Sequence, residues 1–139
     1  MRSASVVVGE EVVGAIGSGL CAFVGVTHTD DSPTAERMAG RLWGLRIFED
    51  ESGLTNRSAE DIGAELLVVS QFTLYADTSR GRRPSFTGAA RPEEARPIVE
   101  HLVAALGSLG AKVATGSFGA DMAVNLVNDG PFTVMVEVE

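Results

Sequence analysis

Four consecutive large aliphatic residues near the middle of the chain constrain its fold most strongly. Leu66, Leu67, Val68 and Val69 follow one another with no polar residue between them. An uninterrupted apolar run of this length, bounded by polar residues, is typical of a β-strand that is buried on both faces. Such a strand needs a layer of structure on each side of its sheet. The run therefore predicts a layered protein with residues 66–69 in its core.

Other segments show the period of strands. Valines on both sides of Gly9 predict a hairpin, and residues 20–26 predict a longer, mostly buried strand. Residues 112–115 and 123–127 predict two short strands. Residues 132–138 predict a last strand, because Val134, Val136 and Val138 alternate with other side chains.

Two segments show helical signals. Ser32 as N-cap and Pro33 at the first helical position predict a helix that ends near Gly44. Apolar residues at helical spacing predict a second helix that is anchored by Pro92 or Pro97 and ends near Gly110. Its regular part is predicted to begin close to Pro97, because proline breaks an interior turn. Strands with two segregated helices indicate an α+β fold in which two packed β-sheets form a barrel-like sandwich with about two helices on an outer face.

Composition supports one globular domain over residues 1–139, with 45% hydrophobic residues. The single Cys21 lies in an apolar run and is predicted to be a buried structural thiol rather than a nucleophile. No apolar stretch approaches the length of a membrane span, and the first residues do not resemble a signal peptide. A cytoplasmic protein without a membrane partner is therefore expected.

Charge is unevenly distributed. The chain has 11 basic and 19 acidic residues, a net charge of −8, which disfavours binding to a polyanion. Residues 78–97 nevertheless contain five arginines against two glutamates. The cluster of Arg80, Arg82 and Arg83 is either a solvated loop or a loop that contacts phosphates. No DNA partner is expected.

Two segments place polar or turn-forming residues beside strands. Ser70, Gln71 and Thr73 bring uncharged hydrogen-bonding groups to the end of the core strand, where such groups need partners or a ligand. Gly130 and Pro131 precede the last predicted strand, and the bond before a proline is the peptide bond that adopts the cis form at modest cost. A fixed turn there can present carbonyl groups to a ligand.

Conventional catalytic groups are scarce. His28 and His101 are predicted surface residues, and no Gly-x-Ser-x-Gly segment supports a serine triad. One cysteine and two dispersed histidines offer no metal-ligand spacing, and no cofactor is predicted. What remains is chemistry by positioning and neutral hydrogen bonds. Backbone amides around Gln71, Phe72 and Thr73 are candidate oxyanion donors.

The two polar segments closely resemble the paired signatures of the D-aminoacyl-tRNA deacylase family, an SQ-x-T motif and an N-x-GP-x-T motif. Residues 44–48, 53–58, 83–86 and 116–122 also resemble family segments, in family order, so the resemblance covers nearly the whole chain. It implies two packed sheets flanked by helices. It also implies hydrolysis of the ester bond of tRNA charged with a D-amino acid, or with glycine.

The resemblance implies a homodimer in which a Gly-cis-Pro element of one subunit enters the partner's active site and excludes L-amino acids. Attack on the ester by water, by a threonine (Thr73 or Thr133) or by the tRNA 2′-hydroxyl stays open at this stage. The predicted site residues are Ser70, Gln71, Phe72 and Thr73 for catalysis; Gly130 and Pro131 for chirality; Phe118, Gly119, Ala120, Met122 and Thr133 for the substrate pocket; and Arg80, Arg82 and Arg83 for tRNA phosphates.

The chain departs from the family pattern at its start. Family members begin with one further strand before the segment that matches residues 3–6, and here that strand is shortened or missing. A missing strand would expose a sheet edge and lower stability. The alternative function is a non-catalytic RNA-binding or dimerisation module of the same fold.

Overall fold

A computed structural model describes all residues from 1 to 139. The strands are β1 (Ser3–Val8), β2 (Glu11–Ile16), β3 (Gly19–Val24), β4 (Phe48–Glu49), β5 (Thr55–Arg57), β6 (Glu65–Ser70), β7 (Lys112–Thr115) and β8 (Ala123–Val127). The helices are α1 (Ser32–Gly44), α2 (Ala59–Ile62) and α3 (Pro92–Ser108), with a 3-10 helix at Phe72–Tyr75.

Strand β6 lies at the centre of the protein, as the apolar run predicts. It is the middle strand of a parallel sheet with the order β3-β6-β7. A second, antiparallel sheet has the order β2-β1-β8. Leu67 and Val69 pack against residues of this second sheet, and Leu66 and Val68 belong to the core shared with the helices. The predicted α+β fold class is confirmed, although the two sheets do not close into a barrel.

Helices α1 and α3 cover the outer face of the parallel sheet. Leu102 and Leu106 of α3 are fully buried, and Trp43 of α1 joins the same core. His101 on α3 lies 3.0 Å from Glu36 on α1, so an exposed pair links the two helices. None of the helices combines the length and apolar character needed to cross a membrane.

The predicted start of α3 is wrong. The helix begins at Pro92 and contains Pro97 in its interior. Pro97 has no amide hydrogen, so the carbonyl of Glu93 lacks its usual helical partner. Both residues are exposed, so water can bind this carbonyl, and the interruption near the helix end is tolerated.

The predicted N-cap of α1 is displaced by one residue. Asp31 caps the helix, and Ser32 is already helical. The Asp31 carboxylate accepts hydrogen bonds from the backbone and hydroxyl of Thr34, at 3.0 and 2.7 Å. This reciprocal capping box explains why the chain turns into a helix one residue before the proline signal suggests. The helix ends at Gly44, as predicted.

Acidification is expected to weaken the fold through aspartates at turns and helix starts. Hydrogen bonds from the Thr34 hydroxyl and amide lower the pKa of Asp31 below its ordinary 3.8. Bonds from the Ser58 amide and hydroxyl lower the pKa of Asp61 in the same way. A carboxyl with a lowered folded-state pKa contributes stability above its unfolded pKa and loses it as the pH falls through the folded value. Urea unfolding should therefore show declining stability as the pH falls below about 4.

The asparagine variants of these two residues supply the control for this prediction. Asp31→Asn and Asp61→Asn keep an oxygen acceptor at each cap but remove the titration. The double variant should lose less stability between pH 5 and pH 3 than the parent protein, measured by urea unfolding at each pH. An equal loss in both proteins would contradict the assignment to these caps.

The predicted strand at residues 132–138 is absent. Residues 129–139 make no hydrogen bond to any other backbone group. The alternating valines favour a strand, but a strand also requires a neighbouring strand with which it can form hydrogen bonds. The last strand of the chain with such a neighbour is β8, which ends at Val127. The segment instead forms one side of an apolar groove whose other side is β3.

The first strand of the chain is not an exposed edge. Strand β1 lies between β2 and β8, and hydrogen bonds to both. In the parallel sheet, β3 is an edge strand that pairs only with β6, and its first residue, Gly19, hydrogen bonds to Met1. The lower stability expected from a shortened start stays a prediction.

Candidate active site

The first predicted site segment continues directly from the buried strand β6. Ser70 is the last residue of β6, and the amide of Gln71 donates to the carbonyl of Val24 on β3, at 2.8 Å. This bond extends the parallel sheet by one residue beyond the apolar run. The polar segment therefore begins at a fixed position, at the carboxyl end of the central strand.

The chain then turns sharply through the 3-10 helix at Phe72–Tyr75. The side-chain amide of Gln71 donates to the hydroxyl of Thr73, which holds both polar side chains on the same turn. The first amides of a helix have no acceptor inside the helix, so the amides of Phe72 and Thr73 remain available as donors. The segment thus combines fixed amides with neutral side chains and carries no charge.

An aromatic pair supports this turn. The rings of Phe72 and Phe86 lie 5.2 Å apart at 70°, an edge-to-face arrangement. Phe72 remains 56% exposed. Phe86 directly follows Ser85, whose backbone exchanges two hydrogen bonds with that of Asp77, at 2.7 and 2.9 Å. The ring contact and these hydrogen bonds therefore connect the 3-10 turn to the two ends of the loop at residues 78–84.

The arginine loop, residues 78–84, is exposed and lies next to this turn. Arg80, Arg82 and Arg83 make no ion pair and no side-chain hydrogen bond. The backbone bridge between Asp77 and Ser85 closes the loop at its base. The loop accordingly presents three unneutralised arginines beside Phe72.

A cavity of about 400 Å³ opens beside Ser70. It lies where β6 and β7 end, and Phe118 and Met122 from the segment after β7 line it together with Ser70. A Cβ atom at Gly116 would lie only 2.6 Å from the sulfur of Met122, so glycine permits this close approach. The structure thus brings Ser70 to one cavity with Phe118 and Met122 of the predicted pocket segment. Gln71, Phe72 and Thr73, the other predicted catalytic residues, do not line it.

Not all of the predicted pocket residues reach this cavity. Gly119, with φ +79°, and Ala120 shape the turn that carries Phe118 but do not line the cavity. The amide of Ala120 donates to the carbonyl of Ser117, at 3.1 Å, and closes that turn. Thr133 lines the apolar groove along β3, which Leu74 and Tyr75 of the 3-10 turn also line.

Two charged residues of α3 without a role predicted from the sequence, Arg96 and Glu100, also line the cavity. The guanidinium carbon of Arg96 lies 5.0 Å from the centre of the Phe118 ring, a cation–π distance. Arg96 also donates to the carbonyl of Phe118, at 3.4 Å. The spacing of four residues between Arg96 and Glu100 is the signal that both lie on one face of the helix.

The Gly130–Pro131 bond is cis and lies in an exposed loop after β8. The side-chain amide of Asn128 donates to the hydroxyl of Thr133 across the loop, at 2.8 Å. Arg2 pairs with Asp129 at 2.8 Å and ties the loop to the chain start. Within one chain this loop does not line the cavity beside Ser70.

The remaining titratable groups form no second catalytic cluster. His28 contacts the carbonyl of Thr87 at 2.6 Å, and His101 is paired with Glu36. No group of three or more side chains suited to a metal ion occurs. Cys21 is half-buried rather than fully buried, because it lies on β3 beside the apolar groove. Burial raises the pKa of its thiol.

Two solved structures are similar to this chain. One, described as "c-Myc DNA Unwinding Element Binding Protein", has a TM-score of 0.93 and 37% sequence identity, and the match covers 99% of this chain and 94% of that chain. The other, a probable eukaryotic D-amino acid tRNA deacylase, has a TM-score of 0.78 at 14% identity, and the match covers 90% of this chain and 88% of that one. At 14% identity the likeness shows the fold alone.

Sequence comparison gives the family. A D-aminoacyl-tRNA deacylase of Mycobacterium avium is 58% identical over 99% of this chain and 95% of its own length. The corresponding protein of Chloroflexus aurantiacus is 56% identical over 99% of this chain and 86% of its own length. The family model described as D-Tyr-tRNA(Tyr) deacylase matches residues 1–137. The chain therefore belongs to the D-Tyr-tRNA(Tyr) deacylase family.

Proposed function

We propose that this protein hydrolyses the ester bond between a D-amino acid and the 3′ end of tRNA, releasing the free amino acid and tRNA. The observation that carries the proposal is the 58% identity to a D-aminoacyl-tRNA deacylase over nearly the full length of both chains. The cavity beside Ser70 supports it, because the neutral polar residues Ser70, Thr115 and Ser117 line it at the end of the central strand. The turn with the available amides of Phe72 and Thr73 follows Ser70 directly in the chain. Mischarged glycyl-tRNA is a further substrate on this proposal.

The proposed mechanism depends on positioning rather than on a general base. No histidine or carboxylate hydrogen bonds to the side chains of Ser70, Gln71 or Thr73. Amides of the turn at Phe72 and Thr73 stabilise the oxyanion that forms when the ester carbonyl is attacked. The attacking oxygen comes from water, which the 2′-hydroxyl of the terminal ribose orients beside the ester; the bond to the 3′-oxygen then breaks, and the 3′-oxygen leaves as a hydroxyl with a proton from the water.

The tRNA itself is proposed to contact two cationic regions. The arginine loop meets phosphates near the turn, and its three side chains have no acidic partner within the protein. Arg96 lies at the cavity beside Phe118, where the terminal nucleotide enters. These local positive charges offset the net charge of −8.

Chiral selection is proposed to require a second subunit. Gly130 and Pro131 are exposed and lie away from the cavity of their own chain, so a partner subunit would bring them to the substrate. Exposed apolar side chains close to the loop support such an interface: Phe132 is 48% and Met135 is 75% exposed. The Gly130–Pro131 carbonyls then face the α-carbon and sterically exclude L-amino acids.

Release of amino acid from matched D-tyrosyl-tRNA and L-tyrosyl-tRNA tests the proposal. The D-ester should be cleaved at least about 100-fold faster than the L-ester, a difference of about 2.7 kcal/mol between the two transition states. Equal rates would contradict chiral selection. Absence of cleavage with retained tRNA binding would favour the alternative, a non-catalytic RNA-binding module.

The variant Gly130→Ala separates catalysis from selection in the same assay. Gly130 has φ +138°, and an added Cβ would lie 3.2 Å from the amide nitrogen of Phe132, so alanine displaces the loop. We expect the ratio of D-ester to L-ester cleavage to fall while cleavage of the D-ester continues.

The cytoplasmic location expected from the sequence stays a prediction.

A further inference from the structure

Two exposed aromatic rings lie next to the arginine loop. Phe72 is 56% exposed and Phe86 is 39% exposed, and the two rings pack edge to face. Neither residue lines the cavity beside Ser70 or the apolar groove along β3. In an edge-to-face pair, the edge of one ring covers a single face of the other, so the remaining ring faces are not covered by the partner ring. The pair therefore offers flat aromatic surface to a ligand.

The surroundings of this aromatic pair are polar and cationic. Residues 76–90 contain no large apolar side chain other than Phe86. The three arginines of the loop have no acidic partner, and the backbone bridge at the base of the loop holds it next to Phe86. Exposed rings beside unneutralised arginines are typical of sites for single-stranded nucleic acid, in which bases stack on the rings and phosphates meet the cations.

The charge of this surface argues against a second copy of the chain as its occupant. In a symmetric dimer the same patch of each subunit meets itself. A symmetric contact centred on Phe72 would bring two arginine loops together, and like charges that face each other across an interface are unfavourable. RNA carries the complementary charge on its phosphates.

The place of Phe72 in the chain selects the part of the RNA. Phe72 follows Ser70 by two residues, so the Cα atoms of these two residues are at most about 7 Å apart. Ser70 lines the cavity at which the terminal nucleotide is proposed to enter. The nucleotide next to the terminal one then comes within reach of the Phe72 ring. Because the 3′ end of tRNA is single-stranded, the base of this nucleotide is unpaired and free to stack.

We propose that the ring of Phe72 stacks on the penultimate base of the tRNA 3′ end, while the arginine loop contacts the phosphates that lead from this base to the body of the tRNA. Phe86 positions the Phe72 ring through the edge-to-face contact. This proposal rests on the proposed function, because it takes the terminal nucleotide to lie at the cavity beside Ser70. Every base has a π-face, so the ring selects an unpaired base at this position rather than one particular base.

Removal of the penultimate base from the substrate tests the stacking with the unaltered protein. Intact D-tyrosyl-tRNA is compared with D-tyrosyl-tRNA that has an abasic ribose at the penultimate position and keeps every phosphate. We expect kcat/KM to be at least about fivefold lower for the abasic substrate, because stacking of a base on an aromatic side chain contributes this much or more to binding. The loss should arise mainly in KM, because the base lies away from the ester. Equal values of kcat/KM for the two substrates would overturn the proposal.

Two variants show whether Phe72 is the stacking partner. Phe72→Leu keeps the backbone amide and an apolar side chain but removes the ring, whereas Phe72→Tyr keeps the ring. Removal of the penultimate base should lower kcat/KM at least about fivefold in Phe72→Tyr, as in the parent protein, but less than about twofold in Phe72→Leu. The same loss in all three proteins would show that the base stacks elsewhere and would overturn the proposal.

The nucleoside ester D-tyrosyl-adenosine is the control for an effect of the Phe72 ring on the catalytic turn. This ester has no penultimate nucleotide, so Phe72→Leu should lower its cleavage less than it lowers cleavage of D-tyrosyl-tRNA. Equal losses with the two substrates would assign the ring to support of the turn alone and would overturn the proposal.

Binding measured without cleavage separates this proposal from the proposed function. The probe is tRNA that carries D-tyrosine in amide linkage on a 3′-amino terminal adenosine, in intact and abasic forms. Failure to cleave D-tyrosyl-tRNA would contradict the proposed function, and weaker binding of the abasic probe would then still support the stacking. Equal affinity for the two probes would overturn it. Dissociation of a dimer in Phe72→Leu with unchanged affinity for the intact probe would assign the ring to a subunit contact and would also overturn the proposal.

Discussion

Replacement of Leu67 by alanine is expected to lower the free energy of unfolding by about 2–5 kcal/mol. Leu67 lies in the middle of β6, is 0% exposed and packs against the antiparallel sheet. Its truncation leaves a cavity between two sheets that are fixed by their own hydrogen bonds and can collapse only partly. Urea unfolding followed by circular dichroism measures the loss.

The same substitution at Leu54 is the matched control. Leu54 lies in a loop before β5 and is 66% exposed. Leu54→Ala should change the stability by less than about 0.5 kcal/mol, because surface substitutions leave no cavity. Similar losses in both variants would show that Leu67 does not carry the contact between the two sheets.

Removal of the 2′-hydroxyl from the terminal adenosine of the substrate is expected to reduce cleavage at least about 100-fold. The chain places no base beside a threonine hydroxyl, so the 2′-hydroxyl of the substrate is needed to orient the attacking water. Single-turnover release of D-tyrosine from the deoxy and ribose substrates, measured with excess enzyme, gives the comparison. The deoxy substrate should still bind, because the other contacts are unchanged.

Two threonine variants complete this test. Thr73→Ala and Thr133→Ala should retain cleavage of the ribose substrate to within about tenfold, since neither hydroxyl attacks the ester. Loss of cleavage in Thr73→Ala with normal cleavage of the deoxy substrate would instead identify the threonine as the nucleophile. Normal cleavage in all three cases would indicate attack by water without help from the 2′-hydroxyl or from either threonine.

The sequence predicts most of the fold because its strongest patterns are local. The apolar run at β6 and the signals at the start and end of α1 each specify an element within a few residues, and both elements are observed. The missed features depend on distant partners or on solvent. Pro97 is tolerated because its helix end is exposed, and residues 132–138 lack a paired edge. Periodicity contains neither kind of information.

The candidate site likewise combines features that a local pattern predicts with features that depend on distant parts of the chain. Ser70 is predictable from its place after the buried strand, and its proximity to Phe118 follows only once β6 and β7 pair in parallel. Arg96 of α3 lines the cavity together with the ends of these strands. No local sequence pattern predicts that α3 packs at this position. The placement of Gly130–Pro131 away from this cavity is likewise a property of the folded chain.

The attachment of the Gly130–Pro131 loop to the chain start has a practical consequence. The amide of Arg2 donates to the carbonyl of Val127, and its side chain pairs with Asp129. An affinity tag fused to Met1 would begin one residue before Arg2 and would disturb the contacts of Arg2 with Val127 and Asp129. The position of the Gly130–Pro131 loop would then change. Stereochemical measurements therefore call for protein whose purification tag has been cleaved from the amino end.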